Sequence, residues 1–346
     1  MLKMCVVVAN NYTYDSRVQR IAKTYSKKYN VTVLALTNSK SDIFEEKFSP
    51  QLKIKRYYVK WPLKNLFILL FGQNLLKKLS LIENADIYHC CDPDTMIAGV
   101  IAKNKFKSKI IYDSHELWSN ISHNQNLISR VYSFVYSKLY YVLEIFYISK
   151  FDKVITVSEP IKHVLQKRYK LKDIIVVENR CEYIPPLKNK IFNPLCVYIG
   201  AERTDVLKFA KIIKNKFNWN SKMLGFKKNK IQGILFRGKI HPCKFKKELK
   251  DCSVGLCIYG KDSKSVYFTI PNKLFQYVQY ELPIIAPNYP GLQKIKKYNV
   301  GVLYNDDEDF LFKFKHLIDN YDFYKSNILK YKYFLSWEFE KQKILK

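Results

Sequence analysis

The sequence predicts an α/β protein made of two parallel-sheet domains in tandem, and three observations carry that prediction. At 346 residues the chain exceeds what one hydrophobic core usually holds, so two domains of about 150 residues each are expected. Apolar residues make up 48% of it, enough for two cores and unlike a disordered chain. Short β-branched runs alternate with longer segments of helical period, the pattern of parallel strands joined by crossover helices.

In order, the first half reads as strand 3–9, helix 15–29, strands 31–36 and 53–59, helix 65–82, strand 86–90, helix 94–104, strand 109–112, helix 127–149, strand 153–157, helix 159–169 and strand 174–178. The helix starts carry their own signals. Asp15 or Ser16 can cap the first, Pro93 suits a first turn, and Ser158 followed by Glu159 and Pro160 is a capped start with an acid at the positive end of the dipole. The stretch "CEYIPPLKNKIFNP" (181–194) has three prolines and no periodicity, which marks a linker. Alternation then resumes with strand 195–199, helix 204–217, strands 222–226 and 232–236, helix 244–250, strand 253–258, helix 272–280, strand 283–286, helix 290–297, strand 300–303 and helix 307–319. The closing "LSWEFEKQKILK" (335–346) is helical by pattern and suited to packing back on the first domain. The expected division is an N-terminal Rossmann-like domain 1–184, a second one 185–330 and a crossover helix 331–346.

Sixty Lys and Arg against thirty Asp and Glu give a formal charge of +30, which attracts an anionic partner or reflects a Lys-rich compositional drift. No nucleic-acid motif accompanies the charge, so nucleic acid is not expected. The eight cysteines include no Cys-x-x-Cys pair and read as reduced, buried small hydrophobes. The N-terminus runs directly into "KMCVVVANN", too short for a secretory core, which predicts a cytoplasmic protein. Helices 65–82 and 127–149 mix aromatic and aliphatic residues with lysines, as interfacial helices do, making an anionic membrane surface a candidate partner; burial against the first sheet is the other reading.

Ligands of such sheets bind beyond the C-terminal strand ends, so the strand-to-helix loops are where function is expected. "ANNYTYDSRVQRIA" (9–22) lacks Gly-x-Gly-x-x-Gly, which disfavours a dinucleotide. It offers Asn11 and Arg17, the latter either solvated behind the Asp15 cap or close to an anionic ligand. "HCCDPDTM" (89–96) contains an Asp-x-Asp, with Asp92 as a cap or acceptor contact rather than a metal ligand. "IIYDSHELWSN" (110–120) places Asp113, His115 and Glu116 behind an apolar strand, with His115 suited to hydrogen-bonding a sugar hydroxyl or phosphate. In the second half, "YIGAERTD" (198–205) brings Gly200 and Arg203 to a turn with Lys208 in the following helix, and "FRGKIHP" (236–242) repeats the arrangement with Arg237 and Gly238. "TIPNKLFQYV" (269–278) opens a helix with Pro271, Asn272, Lys273 and Leu274, an anion seat of free N–H groups and a cation, with Gln276 one turn in and able to reach a ribose hydroxyl.

With "YDSRVQRIA", "ADIYHCCDPDT", "IIYDSHELW", "FDKVITVSEPI", "VYIG", "FRGKIHP", "DCSVGLCIYG", "PNKLFQYVQYELPIIAPNYPGL" and "SWEFEKQKIL" in order, the sequence resembles the family-four retaining glycosyltransferases of the GT-B fold nearly end to end. The resemblance implies two Rossmann-like domains facing across a cleft, the first binding a glycan or lipid-linked acceptor and the second a nucleotide-sugar donor, with no metal and no separate cofactor. It implies that His115 touches the transferred sugar and that Arg203 and Lys208 fall near the pair contacting the diphosphate. The family's two glutamates, eight positions apart, are replaced here by Phe268 and Gln276, with Asp262, Tyr267 or loop backbone as candidate substitutes. The expected activity is sugar transfer with retention, in capsule or lipopolysaccharide assembly. A catalytically degenerate binding partner and a nucleotide-sugar 2-epimerase are the alternatives.

Overall fold

Runs of Val, Ile, Leu and Cys that read as strands are buried on both faces, which only a sheet covered by helices on each side satisfies. The computed structural model describes residues 1–40, 45–60, 76, 78, 83–120, 127–188, 190–227, 229–241, 244–260 and 264–345. Contacts divide the chain into a first unit of Met1–Glu178, Ser263–Ser265 and Lys341–Lys346 and a second of Asn179–Asp262 and Val266–Glu340. The crossing at Glu178 lies just ahead of the proline-rich stretch, which belongs to the second unit.

In the first unit the chain runs through β1 (Lys3–Val7), α1 (Ser16–Tyr25), β2 (Asn30–Thr37), β3 (Glu45–Ser49), β4 (Leu52–Tyr58), β5 (Ile87–Cys91), α2 (Met96–Phe106), β6 (Lys109–Ser114), α3 (Leu127–Tyr147), β7 (Lys153–Thr156), α4 (Glu159–Tyr169) and β8 (Ile174–Val176). The sheet order is β3-β4-β2-β1-β5-β6-β7-β8, parallel except at β3. The strand order reverses between β1 and β5, whose register pairs Val7 with Cys90. Asp15 caps α1 through the Val18 amide, and Ser158 caps α4 through Ile161.

The second unit continues with β9 (Leu195–Ile199), α5 (Thr204–Phe217), β10 (Asn220–Leu224), β11 (Ile234–Phe236), α6 (Phe245–Leu249), β12 (Val254–Leu256), α7 (Lys264–Phe268), α8 (Asn272–Gln279), β13 (Ile284–Pro287), α9 (Lys294–Lys297), β14 (Gly301–Tyr304), α10 (Asp307–Asp319), α11 (Tyr321–Tyr331) and α12 (Trp337–Glu340). Its all-parallel order, β11-β10-β9-β12-β13-β14, reverses between β9 and β12. Each reversal leaves a crevice at the strand ends, where a ligand can approach backbone and helix starts.

Several elements differ from the sequence expectation. β3, "EEKFS", has no apolar alternation because an edge strand is held by one neighbour and faces water on its other side. α7 and α11 are unpredicted, the former short and the latter set apart by Asn320. Expected helix 290–297 is a 3₁₀ turn, Pro290–Leu292, followed by α9. The closing helix divides into α12 and α13 (Gln342–Leu345). α13 belongs to the first unit, where Lys343 Nζ donates to Val176 O at 3.0 Å and Lys28 Nζ to Leu345 O at 3.2 Å. Helix 65–82 lies almost wholly outside the described residues. The seven described cysteines are unbonded, and all but Cys181 are buried.

Candidate active site

In the first unit two of the sequence-predicted residues, Arg17 and His115, gather around one carboxylate, that of Asp113. Asp113, at the end of β6, is fully buried. Its Oδ2 accepts from Arg17 Nε at 3.0 Å, and its Oδ1 from an Arg17 terminal nitrogen at 2.7 Å. His89 Nε2 and His115 Nε2 lie 3.3 and 3.2 Å from Oδ2. Burial opposes ionisation, but Arg17 and the histidines outweigh it and hold the Asp113 carboxyl well below the usual range. Arg17, 3% exposed, also donates to Val177 O at 2.7 Å. It is therefore neither a solvated cation nor free for an anionic ligand; its charge is spent on Asp113 because a buried guanidinium needs a fixed counter-charge.

His115 bridges two acids. Its Nε2 faces Asp113, and its Nδ1 lies 3.1 Å from Asp92 Oδ2. Burial works against the imidazolium, yet Asp92 and Asp113 together raise the His115 pKa well above the ordinary value. As an imidazolium with both N–H groups engaged, it must exchange one carboxylate before donating to a sugar. Asp92 does not cap the following turn with its side chain; its Oδ1 accepts from the His115 amide at 3.0 Å and from Trp118 Nε1. Its backbone takes φ +66°, a left-handed conformation unusual for a non-glycine residue, held by Asp92 N donating to Asp113 O at 2.9 Å.

Asp94 shares none of the described hydrogen-bond partners of Asp92. Its Oδ2 accepts from Tyr140 at 3.2 Å, Oδ1 has no partner among the described residues, and burial, with Asp92 adding to it, pushes its carboxyl up to about 8. The Asp-x-Asp carboxylates thus serve different partners. Among the described residues, no group of three or more His, Cys, Asp or Glu side chains is placed to hold a metal ion. Asn11 is half-buried in a turn where its Oδ1 accepts from Thr13 N at 3.2 Å and its carbonyl from Arg56, while Glu116 is exposed.

In the second unit the site forms where the strand order reverses. α8 packs Tyr277 beneath the crevice, where its hydroxyl accepts from Ile199 N at 3.0 Å and donates to Leu256 O at 3.1 Å, satisfying the diverging ends of β9 and β12. Above it stand Tyr198 of β9 and Tyr259 just beyond β12. Lys273 Nζ lies between their rings, 4.0 and 4.2 Å from the centroids. Among the described residues no carboxylate pairs with it. Burial, aided by the Arg203 charge, lowers the Lys273 pKa to about 8. Arg203 leans on the same Tyr259 ring at 5.8 Å and pairs with Asp205 at 2.9 Å. Two cations thus share an aromatic wall, one of them without an acid.

Gly200 takes φ +148°, and a Cβ there would sit 2.9 Å from the Tyr198 hydroxyl, so the turn admits no side chain. Pro271 occupies the cap position of α8 rather than its first turn. Asn272 follows, its buried Oδ1 without a partner among the described residues. Leu274 is fully buried in the core and its amide donates to Pro271 O at 3.2 Å, so neither group is offered to a ligand. Gln276 is half-buried. Lys208 is exposed and paired with Asp307, and half-exposed Arg237 has Nε 3.5 Å from Glu248, so neither cation is brought to Lys273 by any described contact. Gly238 takes φ +66° in open space, and Asp262 lies outside the described residues.

Sequence reasoning missed Tyr198, Tyr259, Tyr277, His89 and Trp118. Its available signal was that "VYIG" and "CIYG" each end a strand with tyrosine and glycine, placing two rings at one crevice once the strands are neighbours.

Residues 16–180 match Glycosyltransferase Family 4. No curated protein matches the sequence. The fold is similar to sucrose-phosphate synthase from Thermosynechococcus elongatus, with a TM-score of 0.76 at 12% identity over 99% of this chain and 97% of that one. Anabaena HepE in complex with UDP and glucose gives 0.70 at 11% over 100% and 98%. The E. coli trehalose-6-phosphate protein bound with UDP-2-fluoro glucose gives 0.70 at 8% over 99% and 98%.

Proposed function

We propose that the protein, a sugar-transferring enzyme of the GT-B fold whose residues 16–180 match Glycosyltransferase Family 4, takes a nucleotide-sugar donor whose diphosphate binds at Lys273. The carrying observation is the buried Lys273 ammonium, wedged between two tyrosine rings beside a second cation, with no carboxylate paired to it among the described residues. Aromatic faces attract a buried ammonium but do not neutralise it, and a pyrophosphate supplies a counter-charge. Such groups also occupy the comparable proteins seen with UDP and UDP-2-fluoro glucose.

In this reading Lys273 and Arg203 stabilise the charge that develops on the departing diphosphate, and the Gly200 turn lets the backbone approach it closely. The unpartnered Asn272 Oδ1 accepts a hydrogen bond from the nucleoside, and Gln276 reaches the ribose without the charge assistance a glutamate would give. In the first unit His115, fixed by Asp92 and Asp113, donates to a sugar hydroxyl by exchanging one carboxylate bond. Attack of the acceptor hydroxyl on the face the diphosphate leaves gives retention. The acceptor is a glycan or lipid-linked sugar of the capsule or lipopolysaccharide kind, met at the cytoplasmic side of a membrane.

Melting the protein with UDP-, GDP-, ADP- and CMP-sugars tests the donor. A ligand at 100 times its Kd adds about 2.7 kcal/mol of stability, so one nucleotide class should raise the melting temperature clearly above the others. A panel in which none does so sinks the reading.

A further inference from the structure

The helix α3 carries an apolar face that the described residues of the first unit leave exposed. Val131, Phe134, Val135, Val142, Ile145 and Phe146 are each between 43% and 63% exposed. At 100° per residue all six fall within about 60° of one line along the helix, and the stripe is about 22 Å long. Lys138 projects from the same face, its Nζ 5.5 Å from the Phe134 ring, and exposed Arg130 and Lys150 flank the two ends. The helix contains a single acid, Glu144, and that is fully buried, where it accepts from Tyr112 and Tyr169. The exposed face is therefore apolar with cations only.

We infer that α3 is an interfacial helix that lays the first unit on an anionic lipid leaflet, with the apolar stripe among the acyl chains and Arg130, Lys138 and Lys150 at the headgroups. The charge decides between occupants. A second copy would bring an identical face of like charge, in a chain whose net charge is +30, whereas an anionic leaflet complements it. No described helix is long and apolar enough to cross a membrane, so the helix lies in the interface. Its opposite face is tied to the site. Tyr140 donates to Asp94, and the Trp118 ring meets those of Tyr136 and Tyr140 at 6.4 and 5.5 Å while its Nε1 holds Asp92, the partner of His115. A leaflet seated on α3 would thus stand one helix away from His115, a placement that rests on the proposed lipid-linked acceptor.

Flotation with phosphatidylcholine vesicles, with and without phosphatidylglycerol, tests the inference on the full chain. The wild type should float with phosphatidylglycerol vesicles at low salt and largely release at high salt. Phe134→Asp with Phe146→Asp should lower the bound fraction at least tenfold, and Lys138→Glu severalfold. Both residues are exposed, and an unchanged melting temperature and donor-induced shift verify that the variant is folded. Equal flotation of wild type and double variant overturns the inference, as does no preference for the anionic lipid or a dimer that the double variant dissolves. Vesicle binding without any nucleotide-sugar shift would keep the docking helix and remove the proposed donor instead.

Discussion

Two clusters of charge, one in each unit, follow opposite rules. Around Asp113 the charges are paired: Arg17 and His115 are cations, Asp113 and Asp92 are anions, and the bonds left over go to Val177 O, the Trp118 indole and the His115 amide. Around Lys273 the account is left open, with a buried ammonium, a neighbouring Arg203 and an unpartnered Asn272 oxygen. A closed network fixes geometry and needs no ligand. An open one is destabilised until something anionic arrives, so the second unit is where binding energy is to be gained.

The contrast is broken most severely at Asp113. Asp113→Ala leaves the Arg17 guanidinium buried without a counter-charge and should cost about 3–5 kcal/mol, read from urea unfolding of the first unit. At the open cluster the prediction reverses. Lys273→Met should leave the apo protein as stable or more so, while lowering the transfer rate about 100-fold in a donor-turnover assay. Loss of both stability and activity in that variant would mean that Lys273 belongs to a closed network after all.

Proton linkage sharpens the same comparison. The folded pKa of Lys273, about 8, lies below its unfolded value of about 10.4, so the unfolded chain binds more protons between them and this group alone makes stability rise with pH across that window. His115 has a raised folded pKa, so its contribution is complete below about 6.5 and is lost as pH climbs through the raised value; that of Asp113, depressed, is present above about 3.9 and lost as pH falls below it. Donor affinity should also fall as pH passes about 8, where Lys273 loses its charge, and Lys273→Met should flatten that profile. The smallest effects belong to the remaining cations. Arg203→Ala should cost roughly tenfold in donor affinity because Asp205 already offsets its charge, and Lys208→Ala, in an exposed pair, should change neither melting nor affinity measurably.

Much of this could be read from residues in order. Strands of buried Val, Ile and Cys, the Asp15 and Ser158 caps and the Pro271-Asn272-Lys273 helix start are local signals, since each depends on neighbours within a turn. The polar edge strand β3 and short α7 carried no such periodicity. At the sites, sequence named Arg17, Asp113, His115, Arg203 and Lys273 but could not say which cations were already neutralised. Arg17 and Lys208 looked as available as Lys273 until Asp113 and Asp307, 96 and 99 residues away, were found beside them.

By itself, the sequence determined the alternation of strands and crossover helices, the existence of two sheets and the loops in which chemistry would sit, because hydrophobic period and capping act over a few residues. Only the tertiary structure decided which charges are satisfied. Strand order brings Tyr198 and Tyr259 to either side of Lys273 and Asp113 between Arg17 and His115. Whether a buried cation is matched or left waiting depends on what long-range packing places within about 4 Å of it.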